Sequence, residues 1–183
     1  MTKRPLDVRQ AHRLLSPGPV TLLTSQYRGQ PNLMTVAWAA PISLDPPLVA
    51  VAIHPSRLTH EFVAKSEMFA LNVPHLEIIT ATHQCGMISG RDGDKFVAAG
   101  LTAAPATEID PPLVAECLGH LECGVVERIT LGDHDLFVGQ VLALSADDAA
   151  FDGFWKTAEE TGRILHHLGA DRYAALAKSY RAS

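Results

Sequence analysis

The chain of 183 residues suits one compact domain, since domains hold roughly 100–200 residues. Its 47% hydrophobic and 19% charged residues form a globular composition, which excludes intrinsic disorder as the main state. A net charge of -5 and an isoelectric point near 5.9 give no general attraction to a phosphate backbone or an anionic lipid surface, so neither nucleic acid nor membrane is an expected partner.

In chain order, Val8, Ala11, Leu14 and Leu15 recur at helical intervals within Asp7 to Leu15, and Ser16-Pro17-Gly18-Pro19 stops that short helix. Val20 to Ser25 is β-branched and apolar, Arg28-Gly29-Gln30-Pro31 is turn chemistry, and Leu33 to Ala40 is again strand-like, which predicts a hairpin. Asp45-Pro46-Pro47 breaks the chain before a third strand, Leu48 to His54. A short helix follows around His60 to Lys65, with Ser56 or Thr59 as its cap, then a strand from Phe69 to Pro74. Glu77 to Ile88 reads as helical and Ser89 to Asp94 as a polar, Gly-rich surface loop. Leu118 to Ile129 and Leu136 to Leu144 form a second predicted hairpin, and Tyr173, Leu176, Ala177 and Tyr180 predict a C-terminal helix over Arg172 to Tyr180. Many strands with few helices point to a mainly β fold, an antiparallel barrel with peripheral short helices.

The polar start, Met1 to Asp7, lacks the apolar region of a secretory signal, and apolar runs such as Leu48 to Ile53 fall far short of the roughly 18 residues that cross a bilayer. Cys85, Cys117 and Cys123 contain no C-x-x-C pair, so a cytoplasmic location is expected. Asp-Pro-Pro-Leu-Val-Ala occurs at Asp45 to Ala50 and again at Asp110 to Ala115, and unmatched flanks favour two separate turns over a duplication. No G-x-G-x-x-G follows a strand and no P-loop is present; His60-Glu61 has Ala64 where a zinc protease needs its second histidine. On a strand, His120 and Cys123 point to opposite faces, so core cysteines are expected rather than a metal site.

Two segments carry more specific chemistry. In Pro55-Ser56-Arg57-Leu58-Thr59-His60, a helix start, two hydroxyls and a forked cation could hold a phosphate monoester; an N-cap with a solvated Arg accounts for the same residues. Asn32 to Pro41 is a strand of small residues around Trp38, which would let a flat ligand approach the backbone; packing against a barrel wall is the plainer account.

Taken in order, Pro17 to Thr24, Asn32-Leu-Met-Thr-Val-Ala-Trp38, Asp45-Pro-Pro-Leu-Val, Ser56-Arg-Leu-Thr59 and Phe69-Ala-Leu-Asn-Val-Pro74 resemble the flavin reductase-like, FMN-binding split-barrel family, its flavoredoxin branch in particular. Ser89 to Phe96, Gly100-Leu-Thr102, Leu121-Glu-Cys123 and Gly132 to Gly139 continue the resemblance, which runs from about Pro17 to Tyr173. It implies a single-domain split barrel, a homodimer, and one FMN per subunit near the interface. Carried over by position, Asn32, Thr35 and Trp38 lie beside the flavin, Ser56, Arg57 and Thr59 take the phosphate, and Lys95 and His134 contact FMN. His166 or His167 stands where many members place an aromatic residue, and Ala170 replaces a common second glycine; His167 is then either a flavin contact or a solvated helix-end histidine. The implied activity passes electrons from NAD(P)H through FMN to a flavin or a redox protein, with no catalytic side-chain acid or base. The alternatives are a flavin electron carrier without NAD(P)H activity, and a split barrel that binds haem through His134, His166 or His167, or only a protein partner.

Overall fold

The computed structural model describes residues 7, 11–15, 18–158 and 162–180. In chain order the elements are α1 (Ala11–Leu15), β1 (Gly18–Pro19), β2 (Thr21–Tyr27), β3 (Gln30–Val36), β4 (Ala39–Leu44), β5 (Pro47–Ile53), α2 (Leu58–Ser66) and β6 (Met68–Val73). A 3-10 turn (Leu76–Ile78), α3 (Ile79–Met87), α4 (Lys95–Ala99), β7 (Ala103–Ala104), β8 (Leu113–Val114), β9 (Gly119–Leu131), β10 (His134–Ala146), β11 (Leu165–Gly169) and β12 (Arg172–Ala175) follow. Seven strands form one antiparallel sheet in the order β3-β2-β6-β9-β10-β5-β4. Its two edge strands, β3 and β4, are joined only by Ala37 and Trp38, so the sheet must curl until its edges meet. The result is the expected split barrel, open where β3 leaves β4.

Alternation along the strands decides what fills it. Leu23, Val36, Val51, Ile53, Phe69, Cys123 and Phe137 share the barrel interior, while the neighbouring Leu22 turns to the other face of β2 and packs with Leu33, Cys85, Phe96 and Cys117 under α3 and α4. Complete burial of Phe69 and Phe137, 0% and 1% exposed, stabilises the fold by about 2–3 kcal/mol each. Gly139 is required there, because a Cβ would stand 2.6 Å from the Phe69 ring. Cys117 and Cys123 are core residues, as expected, and His120 Nδ1 lies 2.9 Å from Asn72 Oδ1.

α2 is fastened to β10 through charge. His60 Nε2 lies 2.7 Å from Asp135 Oδ2, and Arg128 donates to the same oxygen from Nε at 2.7 Å and Nη2 at 2.5 Å. The His60 ring also meets Phe137 edge-on, with centroids 5.2 Å apart.

Two sequence expectations need correction. The strand expected over Leu33 to Ala40 is two strands, broken at Ala37-Trp38 where the chain crosses between the sheet's edges. The expected C-terminal helix over Arg172 to Tyr180 is absent: Arg172 to Ala175 is β12, paired antiparallel with β11, and 176–180 carry no regular structure. Nine residues are few for a helix nucleus, and the stripe found no partner, since Leu176 and Tyr180 are 40% and 82% exposed. The short first helix is present as α1, although Val8 and Pro17 lie outside the described residues. The two Asp-Pro-Pro-Leu-Val-Ala segments lead into strands of different sheets, β5 and β8, consistent with independent turns. Among the described residues no helix is long and apolar enough to cross a membrane.

Candidate functional site

A groove in three compartments runs along β3. The first, of about 120 Å³, is lined by Asn32, Arg57, Thr59, Gly90 and Lys95 among others, with Ser56 at its edge. It is built on the start of α2, where β5 gives way to the turn His54 to Arg57. Arg57 occupies the N-cap with extended backbone, and no side chain caps the helix. The expectation that Ser56 or Thr59 caps it is therefore corrected. Ser56 turns back to His54, its hydroxyl 2.9 Å from Nδ1 and its amide donating to the same nitrogen at 3.1 Å. The first-turn N–H groups of α2 thus meet no side-chain acceptor, and they carry the helix's partial positive charge.

Thr59 lies inside that first turn, 2% exposed, and its Oγ1 accepts from Asn32 Nδ2 at 2.7 Å. The hydroxyl proton is left available as a donor. Asn32 Oδ1 is buried without a partner. Gly90 closes the wall: a Cβ there would overlap Asn32 Oδ1 and stand 2.9 Å from Leu58 Cδ2.

Lys95 opens α4 behind the Asp94 cap, whose Oδ1 accepts from Phe96 N at 2.8 Å and Val97 N at 3.3 Å. The Lys95 side chain is buried, 5% exposed, and Nζ donates to the Cys85 carbonyl in the last turn of α3 at 2.5 Å. Among the described residues it makes no salt bridge to a carboxylate. Burial pulls its pKa down to about 8, and Arg57 pushes the same way. Cys85 stays a neutral thiol, its pKa raised to about 11 by burial. A buried ammonium without an anion, a free hydroxyl donor and an uncapped helix start together fit a phosphoryl group, which would satisfy all three.

The second compartment, about 190 Å³, lies between Met34, Ala37, Trp38, Ala52, His54 and His134. Trp38 and His134 meet at a centroid distance of 4.8 Å, and His54 abuts His134 edge-on at 5.3 Å. His134 Nδ1 lies 2.7 Å from Asp133 Oδ1, and this bond lowers the Asp133 pKa. The third compartment, also about 190 Å³, is bordered by Val20, His83, Met87, His167 and Tyr173. His83 Nδ1 lies 3.2 Å from Tyr173 Oη, and His167 Nε2 lies 3.0 Å from the Ala170 carbonyl. Burial raises the Tyr173 pKa. Ala170 adopts φ +52°, a conformation that favours glycine.

All nine site residues named from the sequence border this groove. Asn32, Ser56, Arg57, Thr59 and Lys95 converge on the first compartment, Trp38 and His134 form the second, and His167 the third. Thr35 touches all three, but its hydroxyl donates to the Thr82 carbonyl, so it ties β3 to α3. Sequence reasoning missed Gly90, His83 and Tyr173. Gly90 lay in the polar loop already singled out; His83 and Tyr173 gave no signal, because a pair 90 positions apart meets only through tertiary structure.

Comparison with known proteins gives the fold its relatives. The flavin reductase like domain matches residues 13–165. An uncharacterised Escherichia coli protein, YddH, is 32% identical over 179 residues, 95% of each chain. The crystal structure of an FMN-binding domain of a flavin reductases-like enzyme from Shewanella baltica is similar at a TM-score of 0.83, with 28% identity over 97% of this chain and 96% of that one. Flavoredoxin from Methanosarcina acetivorans is similar at a TM-score of 0.83, with 25% identity over 100% of this chain and 95% of its own. More distant relatives include the reductase component of a Rhodococcus opacus nitrophenol monooxygenase.

Proposed function

The chain belongs to the flavin reductase-like family, and from that premise we propose that it is an FMN-dependent oxidoreductase that passes electrons from NAD(P)H to a flavin or redox-protein acceptor. The observation that carries this reading is the buried Lys95, which meets no carboxylate among the described residues, beside Thr59 and the uncapped start of α2; this suits the phosphate of FMN. Bound FMN supplies reversible one- and two-electron transfer at its isoalloxazine ring.

The chain's own residues hold and shape the site. Lys95 and Arg57 would offset the charge of the phosphate and Thr59 would donate its hydroxyl to it, charge-assisted hydrogen bonds being worth about 1.5–3 kcal/mol each. Asn32 orients Thr59 and offers its free carbonyl oxygen to a ligand donor. Trp38, His54 and His134 wall the second compartment, where flat apolar and polar edges can meet a heteroaromatic ring. His167 borders the third compartment, beside Tyr173. The protein's contribution is position and field, so no side-chain acid or base is assigned.

A homodimer forms part of the proposal. Trp38, Ile42 and Leu44 near one sheet edge and Ile129, Leu131, Leu142 and Leu144 on the β9–β10 arm are exposed apolar residues that a second subunit would cover. Light scattering at micromolar concentration is expected to give twice the chain mass of 19.7 kDa, and a monomer would remove this element.

The decisive experiment is anaerobic addition of NADH or NADPH to the FMN-loaded protein, followed at the flavin absorbance. Rapid bleaching is expected. Bleaching only by dithionite or a reduced protein partner would make it an electron carrier, and failure to bind FMN would overturn the flavin reading.

A further inference from the structure

Leu58 and Gly90 form a wall of the first compartment, and on their other side lies a separate, larger cavity of about 390 Å³ bordered by Tyr27, Arg28, Lys65 and Arg91. The flavin reading leaves it unused. The chain carries a net charge of -5, yet the charged side chains of this lining are three cations and the single carboxylate of Glu61. Glu61 accepts from Lys65 Nζ at 2.7 Å and from Arg91 Nη1 at 3.2 Å, and positive charge remains in excess. An acidic protein thus concentrates a field of the opposite sign in one concave place.

These cations are positioned in advance. The Tyr27 ring carries the Arg28 guanidinium at 5.3 Å and the Lys65 ammonium at 5.0 Å, and Phe62 backs the ring at 6.1 Å. Contacts of this kind fix long side chains and reduce the entropy lost on binding. Arg28 adopts φ +52° in the two-residue turn Arg28-Gly29, where Gly, Asn or Asp is the ordinary choice, so turn formation alone does not call for an arginine. Exposure then decides the occupant. The side chains of Arg91 and Lys65 are 50% and 47% exposed, so they cannot enclose a small anion, and exposed ion pairs contribute only about 0–1 kcal/mol each. A partner protein brings several carboxylates at once and shields the rim from water as it docks. Arg and Tyr are the residue types that dominate such interfaces, and the buried Leu58 and Phe62 give the cavity an apolar floor.

We infer that this cavity is the docking site for an acidic segment of a partner protein, whose Asp and Glu side chains pair with Arg28, Lys65 and Arg91. The two guanidinium forks suit carboxylates, and the partner's charge competes with Glu61 for Lys65 and Arg91. The inference does not rest on the flavin reading, because the cavity is walled off from the first compartment and needs no ligand there.

Fluorescence anisotropy of a fluorescein-labelled hexaglutamate peptide, titrated with the full chain at low salt, tests this. Hexaglutamate is expected to bind saturably, at least about tenfold more tightly than hexaglutamine, and to lose about tenfold in affinity as salt rises from about 20 to about 300 mM. The double variant Arg28→Gly with Arg91→Ala is expected to weaken binding at least about fivefold. Glycine suits the turn and Arg91 is half-exposed, so an unchanged melting temperature verifies the fold. If the turn change alters that temperature, Lys65→Gln with Arg91→Ala removes two charges without touching the turn. Arg172→Ala with Lys178→Ala, an equal loss of charge that does not border the cavity, is expected to stay within about twofold of wild type. No saturable binding, or equal losses in the cavity and control variants, overturns the inference. Displacement of the peptide by glutarate at a matching carboxylate concentration overturns it in favour of a small-anion site. A lower mass for the double variant than for wild type in light scattering overturns it in favour of a second copy of this chain.

Discussion

Among the described residues, two buried charged clusters meet on α2, and they treat their charges in opposite ways. Thr59 opens into the phosphate cradle, while the next residue, about 100° around the helix, is His60, which reaches Asp135. Asp135, 2% exposed, accepts from Arg128 and meets His60, and these hydrogen bonds, that of His60 foremost, hold its pKa at about 2. Every charge there is answered by another. In the cradle, Lys95 is equally buried but, among the described residues, bonds a neutral carbonyl and no carboxylate, and Asn32 Oδ1 has no partner among them. A satisfied cluster stabilises the fold; an unsatisfied one keeps its binding free energy for a ligand.

Breaking the satisfied cluster should have the largest effect on stability. Asp135→Ala leaves a buried imidazole without its acceptor and the half-exposed Arg128 guanidinium without its anion, and is expected to lower unfolding free energy by about 1–3 kcal/mol in urea titrations. The wild-type contribution has a defined pH window. Because the folded pKa of Asp135 is depressed, it is fully present above the ordinary carboxylate range near pH 4 and is lost as pH falls through about 2. Lys95→Met should do the reverse. It removes a buried charge that the fold tolerates at a cost, so the melting temperature of the flavin-free protein is expected to hold or rise, while FMN affinity falls about 100-fold, or 2.7 kcal/mol. A destabilised Lys95→Met protein would show instead that Lys95 serves α3 as a structural cap.

The same contrast explains what the sequence reveals. Continuous β-branched and apolar runs in Val20 to Ser25 and Leu48 to Ile53, and the turn at Arg28-Gly29, make the barrel legible from local pattern. The cradle residues were legible because Ser56 to Thr59 and Ser89 to Lys95 are local segments with phosphate-like chemistry and a family pattern. His60 with Asp135 lies 75 positions apart, and His83 with Tyr173 lies 90 apart, so no local period marks either pair. The terminal stripe from Tyr173 to Tyr180 misled because periodicity reports a helix only where a surface waits to bury it. Here the turn at Gly169-Ala170, both at positive φ, sends Tyr173 back against His167 as β12.

The pH dependence of binding sharpens the reading of Lys95. A bound phosphate raises the pKa of Lys95 above its free value of about 8. FMN affinity is therefore expected to stay level between pH 7 and 8, then fall towards tenfold per pH unit above 8, and Lys95→Met should abolish that slope. An identical slope in the variant would assign the titration to another group.

The smallest effect concerns Thr59, whose methyl and hydroxyl have separable roles. The hydroxyl accepts from Asn32 and keeps a proton for the ligand, so Thr59→Val removes a donor and leaves the Asn32 amide unpaired in a buried setting. FMN affinity is expected to fall about tenfold, or 1.4 kcal/mol. Thr59→Ser keeps the hydroxyl and loses only a methyl from the first turn of α2, and is expected to stay within about threefold of wild type. Equal losses in the two variants would mean that packing, not hydrogen bonding, is what Thr59 contributes, and the cradle would then rest on Lys95 and the helix start alone.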